Sequence, residues 1–135
     1  VNRYATDIIG CLNNWVDGWV DWNMVLDKQG GPNWFKNWCV APVIVDPEED
    51  EVYFTPLYYT MSHFSKFMRP GAVKIGCQIN NKDLMATAVK NPDGTIAVVI
   101  FNPTEQEFAI EINQNAKKAT ISIPAKALQT ILIKP

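Results

Sequence analysis

A chain of 135 residues that is 47% hydrophobic has material for one modest domain with its own core. Twelve basic against fourteen acidic residues leave a net charge of −2 with no basic stripe, which excludes a nucleic-acid footprint. No run approaches the roughly 20 apolar residues of a membrane-spanning helix, and Cys11, Cys39 and Cys77 lack the C-x-x-C spacing of a zinc site and read as buried free thiols.

Tyr4, Ile8, Leu12 and Trp15 recur at helical spacing and predict an amphipathic helix over residues 3–14. Gly18 precedes a predicted strand over residues 19–26, in which period-2 alternation sets Trp19, Asp21 and Asn23 on one face and Val20, Trp22 and Met24 on the other. All five tryptophans fall between Trp15 and Trp38, among Asn13, Asn14, Asp17, Asp21, Asn23, Asn33 and Asn37. Such a mixture suits the wall of a sugar pocket, where C–H faces stack on indoles and hydroxyls meet fixed polar groups. It equally suits a Trp-rich corner of a core.

After a loop rich in Gly, Pro and Asn, the acidic run Asp46-Pro47-Glu48-Glu49-Asp50-Glu51 reads as a solvated turn, because a block of like charge is costly to bury. A second helix follows: Thr55 suits the N-cap, Pro56 the first position, and Leu57, Met61, Phe64 and Met68 form an apolar face before a stop at Gly71. Its His63 reads as a capping or packing residue. Helix, strand, long loop and helix, residues 1–71, is the order of the last elements of a (β/α)8 barrel. Residues 72–135 carry six predicted strands, at 73–79, 84–90, 95–102, 107–112, 119–123 and 128–133. Asn91-Pro92-Asp93-Gly94 marks a hairpin between the second and third. The fold class is therefore mainly β, with a C-terminal antiparallel β-sandwich preceded by barrel-derived β/α elements.

The segment Asp17-Gly18-Trp19-Val20-Asp21-Trp22-Asn23, followed by Gly30-Gly31-Pro32-Asn33-Trp34, resembles the end of the catalytic barrel of family 30 glycoside hydrolases of the glucosylceramidase (acid β-glucosidase) type. The resemblance continues through Ala41-Pro42-Val43-Ile44-Val45-Asp46 and His63-Phe64-Ser65-Lys66-Phe67, and more weakly through Asn91-Pro92-Asp93-Gly94 almost to the C-terminus. It implies a retaining glycosidase whose two catalytic glutamates lie upstream of this region. Glu48, Glu49, Glu51, Glu105, Glu107 and Glu111 match neither position, so the 135 residues alone are expected to be inactive, as a C-terminal portion of the enzyme.

By the same resemblance, Trp22 matches the tryptophan lining the glucose subsite and Asn37 an asparagine at the rim. Trp19 and Asp21 share that strand motif, with Asp21 a candidate for bonds to sugar hydroxyls or neighbouring loops, and Trp34 is a candidate for the entrance. The implied partners are a β-glucoside or glucosylceramide-like substrate and the rest of the barrel. No metal or organic cofactor is implied, and a secreted, periplasmic or lysosomal-like setting is expected. Other members of the wider family cleave different β-linked sugars. The alternative is a structural or carbohydrate-binding sandwich without catalysis; residues 72–135 offer no Trp or Tyr for stacking, only Phe101 and Phe108, which favours its structural form. A barrel strand without its neighbours has unpaired edges, so residues 19–26 are expected to be poorly packed, paired with the sandwich, or dimer-forming.

Overall fold

Tyr4, Ala5, Ile8, Ile9 and Leu12 share one face of the first helix, α1 (Asn2–Asn13), and Ala5, Ile8 and Ile9 are buried. The computed structural model describes residues 2–135. The helix stops where the Asn14 backbone and side-chain amides both reach the Gly10 carbonyl, at 3.1 and 2.8 Å. Trp15 then turns to φ 65°, a left-handed conformation that costs a bulky residue about 1–2 kcal/mol.

The strand expected over residues 19–26 is realised only at its end, as β1 (Val25–Asp27). Among the described residues, no strand neighbours the rest to complete a hydrogen-bond ladder, and side chains hold it instead. β1 itself is neither solitary nor paired with the sandwich. It lies parallel to β2 (Val43–Asp46), with Leu26 opposite Ile44, and β2 runs antiparallel to β3 (Glu51–Phe54). The sequence reading assigned no strand to β2 or β3. The acidic run between them is solvated at Pro47–Asp50 but not at its first residue. Asp46 is 3% exposed, its Oδ1 accepts the Glu48 and Glu49 amides, and Lys28 Nζ lies 2.6 Å from its Oδ2. That ammonium bond holds the Asp46 carboxyl below the usual carboxylate range.

The second helix, α2 (Pro56–Ser65), is capped by Thr55, whose Oγ1 accepts the Leu57 amide at 3.3 Å. It ends earlier than expected; Gly71, at φ 82°, instead turns the chain into the sandwich. The six strands expected there are β4 (Val73–Ile75), β5 (Met85–Lys90), β6 (Ile96–Phe101), β7 (Phe108–Gln114), β8 (Lys117–Ile123) and β9 (Leu128–Ile133). One sheet has the antiparallel order β4-β5-β6-β9, and β7-β8 form a separate two-stranded sheet. At the β5–β6 turn, Asn91 N–H bonds the Thr95 carbonyl and Gly94 takes φ 84°.

Alternation along β6 explains its unbroken apolar sequence. Val99 and Phe101 face Ala5, Ile8 and Ile9 of α1 and Phe64 of α2, whereas Val98 and Ile100 face Ile123 and the inner side of the β7-β8 sheet. Both faces of the strand are covered, so no position needs to be polar. The helices thus cover one side of the larger sheet. Asn13 Nδ2 donates to the Ala86 carbonyl, Thr130 Oγ1 donates to the His63 carbonyl, and Asn91 accepts the Arg69 amide while donating to the Phe67 carbonyl. These bonds cross from residues 2–71 to the sandwich.

Candidate functional site

Trp22 follows a stretch of chain with no ladder partners, and its indole is 81% exposed. It borders a cavity of about 460 Å³, large enough for a sugar unit, together with Asp21, Met24, Pro42, Tyr58 and Met61. Ser62, Ser65 and Lys66 of the second helix and its cap add polar groups to the lining. Trp19, Trp34 and Asn37 do not line this cavity. Of the five residues singled out in the sequence, the structure brings only Asp21 and Trp22 together in it.

Trp19 turns inward to α1. Its indole Nε1–H donates to Asp7 Oδ2 at 2.7 Å, and its ring meets Tyr4 edge-on, with centroids 5.3 Å apart at 62°. Asp21 is occupied at both oxygens: Oδ2 accepts the Tyr4 hydroxyl at 2.7 Å and Oδ1 accepts the Trp22 backbone N–H at 2.8 Å. Burial, helped by the Asp21 bond, pushes the Tyr4 phenol up to about 12.

Trp34, 96% exposed, and Asn37 belong to a loop whose base is closed by a Cys39 N–H bond to the Gly30 carbonyl at 3.1 Å. Gly30 is obligatory there: at φ 87°, a Cβ would stand 2.2 Å from the Cys39 carbonyl oxygen. Asp27 anchors the same base, with its Oδ1 accepting the Gln29 and Gly31 amides, each at 2.9 Å. At the outer end, Asn33 Oδ1 accepts the Asn37 amide at 3.0 Å. Sequence reasoning placed Tyr4 only in the helical pattern of the first helix and singled out neither Asp7 nor Asp27. For Tyr4 and Asp7 the available signal was their i,i+3 spacing on the helix preceding the Trp motif.

All six glutamates are exposed and none lines the Trp22 cavity. Asp21 supplies the one carboxylate among the described lining residues, and both its oxygens are engaged. Among the described residues, no group of three or more His, Cys, Asp or Glu is placed to hold a metal ion, and no helix is long and apolar enough to cross a membrane.

An exposed indole thus stands beside a polar-edged cavity, in a helix-and-strand segment joined to a β-sandwich. The glycosyl hydrolase family 30 TIM-barrel domain profile matches residues 1–68, and the family 30 beta sandwich domain profile matches residues 71–131. The chain belongs to glycosyl hydrolase family 30. It is 45% identical over 98% of its length to the Caenorhabditis elegans protein named "Putative glucosylceramidase 4", covering 27% of that protein. It is 37% identical over 82% of its length to the lysosomal acid glucosylceramidase of Mus musculus, covering 22% of it.

Among solved structures, SrfJ from Salmonella typhimurium superposes on 99% of the chain with a TM-score of 0.96 at 29% identity, the chain covering 30% of SrfJ. The endo-β1,6-glucanase BT3312 superposes on 98%, with a TM-score of 0.88 at 26% identity, the chain covering 31% of it. The chain thus spans about a quarter of the length of the curated relatives it matches.

Proposed function

We propose that these 135 residues are the C-terminal portion of a retaining β-glucosidase of the glucosylceramidase type. Residues 1–71 complete its barrel and residues 72–135 form its flanking sandwich. A retaining enzyme needs two carboxyl groups about 5–5.5 Å apart, one as nucleophile and one as acid/base. Here that pair belongs to parts of the barrel outside the chain. The chain's own contribution is the wall on which a glucosyl ring stacks: Trp22 offers an apolar face to the ring's C–H bonds, Asn37 a polar rim, and Trp34 an apolar edge at the entrance.

The single observation that carries this reading is the outward Trp22 indole beside the cavity, in a chain of this family. The higher identity to glucosylceramidases than to the endo-glucanase supports a glucosylceramide-like substrate over a β-1,6-glucan. The test joins the chain to the remainder of its barrel and follows an aryl β-glucoside by NMR. Release of β-glucose first, lost when either barrel glutamate is changed to Gln, is expected, with no turnover by the chain alone. Release of α-glucose, or hydrolysis of β-1,6-glucan in place of the glucoside, would contradict the proposal.

A further inference from the structure

Residues one helical turn apart, such as Tyr4 and Asp7, hold their Cβ atoms about 5–6 Å apart on one face. In extended chain, Trp19 and Asp21 also share a face, at about 6.5–7 Å from the rise per residue. The two spacings are close enough for a pair of rungs to form: Tyr4 hydroxyl to Asp21, and Trp19 indole to Asp7. The earlier helix residue meets the later partner, so the segment runs back along α1. The second Asp21 oxygen then takes the backbone N–H of Trp22. A carboxylate held by a phenol thereby fixes the peptide unit that carries the exposed indole, in a stretch that no strand neighbour steadies.

We propose that Tyr4 and Asp7 are positioning residues for substrate binding, holding Trp22 outward through Asp21 and Trp19; this rests on the reading of Trp22 as sugar wall. Asp21, with both oxygens engaged, serves the same purpose rather than contacting the sugar. The high phenol pKa keeps Tyr4 a donor at any ordinary working pH. Fixing an aromatic wall before the ligand arrives lowers the ordering cost of binding. Because α1 is held independently by Ala5, Ile8 and Ile9, the clasp can be loosened without unfolding the helix.

The first readout is water exchange of the Trp22 amide and the Trp19 indole proton in the 15N-labelled chain. Tyr4→Phe is expected to speed Trp22 amide exchange at least tenfold while the amides of β6 stay protected. Asp7→Ala is expected to expose the Trp19 indole proton, and Asp7→Asn, which keeps an acceptor oxygen, to restore its protection. Unchanged exchange in both Tyr4→Phe and Asp7→Ala overturns the clasp. The second readout uses the chain joined to its barrel: Tyr4→Phe is expected to raise KM for an aryl β-glucoside several-fold with kcat within twofold. An unchanged KM, with the Trp22 amide loosened, overturns the positioning role. A joined wild-type enzyme that cleaves no β-glucoside sinks the sugar-wall reading, and the exchange data still decide the clasp.

Discussion

Strand β6 and the Trp-rich segment are both rich in large apolar residues, yet they meet opposite fates. From Ala97 to Phe101, every β6 side chain is buried, covered on one side by two helices and on the other by the β7-β8 sheet. Trp22, Trp34 and Phe35 stand almost fully exposed. The sandwich and the helices on it close their own core. The segment bearing the tryptophans presents faces that its own chain leaves uncovered.

The contrast breaks most readily at its buried end. Phe101→Ala, which empties a fully buried site facing both helices, is expected to cost about 3–5 kcal/mol in urea unfolding. Gly30→Ala is expected to cost about 3 kcal/mol, the left-handed strain being compounded by the backbone clash at Cys39. Its readout is a lowered Tm together with altered Trp emission from the loop. At the exposed end, Trp34→Ala is expected to stay within about 0.5 kcal/mol of wild type.

Two pH dependences sharpen the picture. The Asp46 carboxyl is lowered by Lys28, so its stabilisation is present above about pH 4, the unfolded value, and is lost as pH falls through the folded value. The stability difference between wild type and Asp46→Asn is therefore expected to vanish in acid unfolding titrations. Thr130 spends its proton on the His63 carbonyl, so the His63 Nδ1–H donates to Thr130 Oγ1, at 2.9 Å. Burial lowers the His63 pKa by disfavouring the imidazolium. The contribution of neutral His63 is present above about pH 6.5 and lost as pH falls through the folded value. NMR titration of its ring protons is expected to give a midpoint below 6.5.

The same contrast explains what could be read from sequence. The sandwich strands and the capped second helix carry their signals locally, in alternation, in Asn91-Pro92-Asp93-Gly94 and in Thr55-Pro56. The barrel-derived strands do not. Residues 19–26 alternate as a strand should, but strand structure needs a neighbour, and only Val25–Asp27 find one, in β2. β2 and β3 are four residues each, and the acidic turn joining them hides that Asp46 folds inward to bind two amides and Lys28. At the site, the composition suited a sugar wall and a Trp-rich core corner equally, and the pairing of Tyr4 with Asp21 and Asp7 with Trp19 spans 17 and 12 residues. No local pattern announces such bonds.

Whether the exposed Trp22 receives a sugar is decided by kcat/KM of the chain joined to its barrel. Trp22→Ala is expected to lower kcat/KM for an aryl β-glucoside about 10- to 100-fold, equivalent to about 1.4–2.7 kcal/mol. Trp15→Asn changes an equally exposed tryptophan outside the cavity, at a positive φ that Asn tolerates, and is expected to leave kcat/KM unchanged. Equal effects of the two substitutions would show that Trp22 does not receive the sugar.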